Sequence, residues 1–571
     1  MCIERVDNLP IIITWLLRMR VNSIIDSLWR SHGKWQGLSY GQLALLFVAY
    51  IMHRRTHQLM GMESWLNDHR TVITTLTGWT IGDKEATDDR LGILLTTLGE
   101  DEALALKLQK ELSQHVIQAF DLPTEVARYD TSSFSVHHAV PEAGETPHQL
   151  LKFGHSKDKR PDLLQFKQGL GTLDPAGVPL VTHTLSGETA DDGLYLPAWW
   201  QIRQILGRDN FLMVADSKAA AKETRAAIDS HGGRYLFPLP MTGDTPTWLR
   251  EQIRQPVVEI IVLPEIVDKE GQPKRAGEGF AVSRPMSYEL SPGVNHTWEE
   301  QWFVIRSDSL TKKQQAALQR RLTRTSQELL RLRPNKDETE LTFSERATKV
   351  LAKRDVTAYF DVKVQETICI RKHYLKKGRP GPQTPYELET TSRLNLVVTH
   401  QEEAIEQAMQ LAGWRIHVSN ATPKEMSLVQ SVRYYRDEWL VERGYHRFKN
   451  GSLPALPLYL RLPERIRGLM LLLFIALQAL TLIEFVAKRS LADKNETIAG
   501  LVPGNPKMKT DRPSAERLLA AFGQFHLLIE ESEMAVSATL VEALTPLQQR
   551  ILALLHLPTS IYDLDFANVP P

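Results

Sequence analysis

The chain has 571 residues, 42% hydrophobic and 24% charged, a globular composition that excludes the collagen-like and disordered classes. Two cysteines, Cys2 and Cys369, exclude a disulfide framework and a four-thiolate zinc site; a reducing, cytoplasmic setting is the simplest expectation. The 68 basic and 68 acidic residues cancel, so a polyanion partner must be met by local charge.

Local charge is uneven. Residues 1–55 carry a net +4, residues 301–380 nineteen Lys/Arg against nine Asp/Glu, and residues 514–571 a net −5. A basic middle with an acidic tail accompanies many polyanion-binding proteins, although solvated basic helices look the same.

In chain order, residues 11–17 are apolar but follow Glu4, Arg5 and Asp7, with no small-residue cleavage site after them. No signal peptide is expected. Residues 8–120 carry the 3.6-residue pattern of a helical bundle, suited equally to holding DNA and to dimerisation. The pattern changes near 125. A short strand leads into Asp130, and 166–173 with 178–185 reads as a hairpin around Asp174-Pro175-Ala176-Gly177. Residues 199–206 read as a helix, 211–216 as a buried strand ending in Asp216, 218–230 as a helix and 234–238 as a strand. The result is a mixed α/β core.

Residues 257–263, 300–306, 359–371, 397–399 and 414–418 read as further strands, with an amphipathic helical hairpin at 310–332 and 342–353. A helix is expected over 424–449, broken only at Gly444, and helices are expected after 491. Residues 468–487 are apolar enough to span a bilayer, but they contain Gln478 and Glu484. A protein-covered core helix fits better, and no membrane partner is expected.

No phosphate-cradling glycine loop, paired-cysteine motif or nucleophile elbow is present. A dispersed set of carboxylates remains. Asp130 and Asp216 each end a hydrophobic strand, so neighbouring strands would bring both to one divalent ion; Asp216 before a helix also reads as an N-cap. Tyr435, Glu442 and Lys449 are spaced by seven, drifting only ~20° per seven residues along one helical face. That face suits a metal-ligating carboxylate beside phosphate-gripping groups, or a salt-bridged solvated helix.

Tyr129-Asp130-Thr131, Ala215-Asp216 and the Tyr435/Glu442/Lys449 helix together resemble the Asp-Asp-Glu transposases of bacterial insertion sequences. Within them the chain resembles the insertion-sequence-four superfamily, whose third motif reads Tyr-x2-Arg-x3-Glu-x6-Lys. The segment from Gly154 to Leu163, Arg465-Ile466-Arg467-Gly468-Leu469 and Thr545-Pro546-Leu547 are also similar to pieces of that group, so the resemblance runs from about residue 8 to 565. The motif's arginine falls on Glu438, with Arg436 and Arg443 nearby.

The resemblance implies an α/β ribonuclease H-like (retroviral-integrase-like) core with a large β-rich insertion, a helical N-terminal domain and a helical C-terminal region. The implied boundaries are 1–122 (DNA-binding or dimerisation), 123–240 (core), 241–422 (insertion with a basic helical hairpin), 423–490 (core with the third acid) and 491–571. It further implies Asp130, Asp216 and Glu442 as catalytic ligands of two Mg²⁺ or Mn²⁺ ions, and phosphate contacts from Tyr435, Arg436, Arg443 and Lys449. The implied activity is cut-and-paste DNA transposition by a homodimer on terminal inverted repeats and target DNA, in a bacterial cytoplasm. A nuclease that cuts without joining and an inactive DNA-binding relative are the alternatives. Within the insertion, Lys376, Lys377 and Arg379 of the Lys-Lys-Gly-Arg-Pro-Gly segment read as a minor-groove contact or a plain turn. Trp298 and Trp302 read as base-stacking platforms or strand core.

Overall fold

The computed structural model describes residues 2–31, 33–140, 149–254, 261–263, 266–267, 273–336, 338–375, 377–532 and 535–563. Among them nine strands form one sheet: β1 (Val126–Val136), β2 (Leu164–Leu173), β3 (Val178–Ser186), β4 (Leu212–Ala215), β5 (Arg234–Pro238), β6 (Ile261–Leu263), β7 (Gly277–Ser291), β8 (Val294–Ser307) and β9 (Trp414–Ser419). Their order is β3-β2-β1-β4-β5-β9-β8-β7-β6. β1, β2 and β3 pair antiparallel, whereas β4 runs parallel to β1 and β5 parallel to β4. Helices Tyr195–Leu206 and Lys222–Ser230 make the two parallel crossovers, so the molecule is mixed α/β. The strands of the expected insertion extend this same sheet, because β9 pairs antiparallel with β5 and β8 with β9.

β2 is buried at all ten positions, covered on both faces, which explains its lack of apolar alternation. Two of its polar side chains find internal partners: Gln165 Nε2 donates to Gly187 O at 2.9 Å and Lys167 Nζ to Asp191 Oδ1 at 2.8 Å. Further along the sheet, Glu300 of β8 is fully buried. It accepts from Arg225 Nη1 (2.5 Å), the Tyr235 hydroxyl (2.5 Å) and Trp302 Nε1 (2.9 Å).

The apolar run lies in helix Pro463–Asp493, long enough to cross a membrane by length and composition, yet 94% of its most apolar 18-residue window is buried in protein. Its polar residues have protein partners. Gln478 Nε2 donates to Pro179 O at 2.8 Å, and Glu484 receives Arg447 Nη2 at 2.6 Å and the Ala515 backbone N–H at 3.0 Å. Helix Asp88–Glu100 crosses it at reciprocal glycines: a Cβ on Gly99 would stand 1.9 Å from Glu464 O, and one on Gly468 2.1 Å from Leu95 O.

Two expectations are corrected. The C-terminal region is not wholly helical, because strands His526–Ser532 and Ala535–Leu540 form a sheet with the N-terminal strand Cys2–Arg5. The pairing partner lies more than 500 residues away (Cys2 opposite Ile529), so local pattern could not reveal it. The 424–449 helix is two helices, Leu428–Arg436 and Trp439–Asn450, broken at Asp437–Glu438 and not at Gly444.

Candidate functional site

β1 and β4 set the site. Their parallel register ends at Tyr129 opposite Ala215, so Asp130 and Asp216 are the next residue on each strand. Asp130 does not end its strand, as the sequence suggested: β1 continues to Val136, paired only with β2. What ends at Asp130 is the pairing with β4, and the gap left there faces Asp216. Just before it, Arg128 ties β1 to the hairpin turn through a bidentate pair with Asp174, at 2.7 and 2.6 Å.

Asp216 also has its second role. Its Oδ1 caps the turn Ser217–Ala220 by accepting from Lys218 N at 3.0 Å, and accepts from the Tyr195 hydroxyl at 2.5 Å. Burial raises the Asp130 carboxyl above the usual range; Asp216's charge adds to this, and the Lys157 ammonium opposes it. Lys157 Nζ lies 3.3 Å from Asp130 Oδ1, 2.5 Å from Thr131 O and 4.0 Å from Asp191 Oδ2.

Helix Trp439–Asn450 packs on β1 and β2. Gly444 serves that contact, since a Cβ there would meet Leu170 Cδ2 at 2.9 Å and Leu477 Cδ2 at 3.2 Å. Beside it the Tyr445 hydroxyl donates to the Asp130 carbonyl at 2.6 Å, fixing the helix to the backbone of the first acid. On the same inward side, Arg443 and Arg447 grip Glu484, and Arg447 Nε also binds Glu516 at 2.8 Å. Arg443 is therefore committed to an internal ion pair, not displayed for DNA phosphate. Glu442 is exposed on the other side.

Because the helix breaks, Tyr435 does not share a helical face with Glu442 and Lys449. It reaches the cleft from the preceding helix, with its ring 4.5 Å from that of His417. Arg415, Tyr435, Arg436, Glu438, Trp439 and Glu442 line this cleft. Glu438 stands where the motif has arginine. Its carboxyl is pushed up to about 7, by burial first and then by the charges of Asp130, Glu442 and Asp216, against a hydrogen bond from Tyr435.

The donor set is hard carboxylate oxygen, which fits Mg²⁺ or Mn²⁺ in kind. Among the described residues, however, no group of three or more His, Cys, Asp or Glu stands close enough to hold a metal ion. The two aspartates are adjacent; neither glutamate closes a cage around them.

Lys449 Nζ binds Asp158 Oδ1 at 2.7 Å and sits 5.1 Å from the Phe134 ring centroid. Lys157 and Asp158 therefore link one short segment to both the first acid and the glutamate helix. They lie inside the Gly154–Leu163 stretch noted from sequence, but the alternation of charge there gave no sign of which strand each would reach. Trp298 and Trp302 are buried, 7% and 8% exposed, and their indole N–H groups are spent on Tyr235 and Glu300. They are strand core; neither offers a face to a base. Lys376 lies outside the described residues, while Lys377 and Arg379 are exposed at the end of a long hairpin.

No family model matches the chain, and no curated protein matches it. Among solved structures it is similar to a piggyBac transposase in a synaptic complex with hairpin DNA, at 11% identity and a TM-score of 0.23. The match covers 50% of this chain and 57% of that one. At that level of similarity it carries no argument about function.

Proposed function

We propose that this chain is a DNA transposase of the insertion-sequence-four type, cleaving element ends and joining them to target DNA in a metal-dependent reaction. The observation that supports it most is the placement of Asp130 and Asp216 one residue past the end of the β1–β4 parallel register. The strand–strand–strand–helix–strand–helix–strand order of β1 to β5 supports a ribonuclease H-like reading of the core.

Asp130 and Asp216 would hold a divalent cation, with Glu442, which does not close on them in this structure, as the proposed third ligand; the cation would supply activation of the attacking water or 3′-hydroxyl and stabilisation of the leaving oxygen. The chain itself supplies position. Tyr195 and Lys218 N fix the Asp216 carboxylate, and Tyr445 fixes the backbone at Asp130. Arg415, Arg436 and Tyr435 line the cleft beside the glutamates, where charge-assisted hydrogen bonds would orient phosphates. Both element ends must be brought together for joining, so the working form is a homodimer on DNA.

The test is strand transfer of a pre-cleaved element end into plasmid with Mg²⁺, the end sequence being read from the DNA flanking the gene. Wild type is compared with Glu442→Gln and Glu438→Gln. Joined product from wild type and from Glu438→Gln, with none from Glu442→Gln, is expected. Loss in Glu438→Gln alone would move the third acid to Glu438. Cutting without joining in wild type would make the protein a nuclease, and binding with neither would make it an inactive DNA-binding relative.

A further inference from the structure

Strands Phe360–Tyr374 and Tyr386–His400 pair in unbroken antiparallel register from Phe360 opposite His400 to Tyr374 opposite Tyr386. They stand apart from the main sheet. Only their base is anchored: Phe360, Val362, Leu396 and Val398 pack with the apolar face of helices Asp308–Arg331 and Glu340–Lys353. Of the described residues from 370 to 393, all but Thr384 are exposed. A two-stranded ribbon is marginal in water by itself. At about 3.3 Å per residue, ten residues of it reach roughly 30 Å.

The distal ribbon carries three signals. Ile368, Ile370 and Leu388, on one face, are 65%, 64% and 60% exposed. Residues 371–393 hold six Lys/Arg against two Asp/Glu. Of the cations described there, Lys372 sits 4.3 Å from the Tyr386 ring centroid. Arg371, Lys377, Arg379 and Arg393 make no ion pair among the described residues, although at the base Arg354 pairs with Glu328 and Arg321 with Asp355. The tip is built from small and rigid residues. Gly378 has φ +132°, a conformation essentially closed to other residues, and Arg379-Pro380-Gly381-Pro382 follows. The Gly381 N–H donates to Thr384 Oγ1 at 2.8 Å.

We propose that the 360–400 hairpin is a duplex-DNA arm whose Lys377-Gly378-Arg379-Pro380 tip enters the minor groove, with preference for A·T-rich sequence. This rests on the DNA reading above but not on its carboxylates. A groove only about 6 Å wide admits an extended, glycine-flanked backbone and excludes a helix. Narrow A·T minor grooves concentrate negative potential and attract arginine. Ribbon strands are used in DNA grooves, and apolar or prolyl wedges open base steps there, which gives the exposed isoleucines and Pro380 something to cover.

The experiment measures binding of the full chain to A·T-rich and G·C-rich duplexes of equal length at several salt concentrations, with and without a minor-groove-binding drug. Wild type should favour the A·T duplex by about tenfold and be displaced by the drug. The Lys377→Ala/Arg379→Ala double variant should lose the preference, with a salt slope shallower by about two. Asp130→Asn should keep both. Equal affinity for the two duplexes, indifference to the drug, or wild-type binding by the double variant overturns the arm alone. Absence of binding to either duplex overturns the arm and the transposase reading together. If Ile370→Ser instead shifts the monomer–dimer balance and leaves DNA binding unchanged, the ribbon joins two copies of the chain and the proposal fails.

Discussion

The β1–β5 half of the sheet and the 360–400 hairpin are both paired strands, but they spend their residues in opposite ways. β2 buries ten of ten positions, including Lys167 and Gln168, while the distal hairpin buries almost nothing. In the sheet, a charged side chain is tolerated only with a partner: Arg128 with Asp174, Lys167 with Asp191, Arg225 with Glu300. In the distal hairpin, Arg371, Lys377, Arg379 and Arg393 make no ion pair among the described residues, and Ile368 and Ile370 are exposed. Stability therefore resides in the sheet. Beyond its anchored base, the hairpin's composition is little constrained by packing within the chain.

The comparison breaks most visibly at Glu300. Glu300→Ala should leave Arg225 buried without its charge partner and cost about 3–5 kcal/mol, measured by urea denaturation. A loss below about 1 kcal/mol would mean that the pair is not desolvated and the sheet is less tightly specified than argued. Gly444→Leu is the next largest. It forces a side chain against Leu170 and Leu477, so overpacking should cost about 1–3 kcal/mol. It should also lift the Glu442 helix from β1, lowering strand transfer more than stability alone explains. Unchanged stability and transfer would show that the helix does not seat as closely as Gly444 indicates.

Glu438 sharpens the comparison through pH. Burial and neighbouring negative charge push its carboxyl up to about 7 from an ordinary value of 4.5. Below about pH 4.5 both folded and unfolded forms are protonated, and the shift contributes nothing. As pH rises from there to about 7, the unfolded chain releases the proton first, so stability falls across that window and stays reduced above it. Glu438→Gln should flatten the slope between pH 4.5 and 7 relative to wild type, read as midpoint denaturant concentration. A parallel profile would show that Glu438 is solvated and not gathered with Asp130, Asp216 and Glu442.

Much of this was legible in the sequence, and the exceptions have physical causes. The hairpin around 174–177, the β4 strand before Asp216 and the amphipathic helices at 308–331 and 340–353 all follow local pattern, because turn chemistry and apolar period speak within a dozen residues. What local pattern could not give was partnership. That β8 and β9 continue the core sheet, and that residues 2–5 pair with 526–529, depend on distant register. At the site, the seven-residue spacing of Tyr435, Glu442 and Lys449 suggested one face, but the chain turns at Asp437–Glu438. Glu438 looked like a lost arginine because motif spacing records identity and not the charges that surround a position. Arg443 looked available for DNA because its partner Glu484 lies 41 residues on, inside the apolar run of another helix.

The smallest effect tests the other side of the comparison. Ile370→Ser replaces a large apolar side chain that is 64% exposed and opposite Thr390 in the hairpin. Had that isoleucine been in β2, the change would cost several kcal/mol through lost burial and an unsatisfied hydroxyl. In the hairpin it should shift global stability by less than about 0.5 kcal/mol, since most of the side chain is already in water. The same substitution should weaken binding to A·T-rich duplex, because there the isoleucine is covered. A stability loss comparable to a core substitution would mean that the hairpin folds back onto the chain in solution. A neutral stability with weakened DNA binding is the signature of a side chain kept for contact made outside the fold, and it separates the two uses of β structure in one measurement.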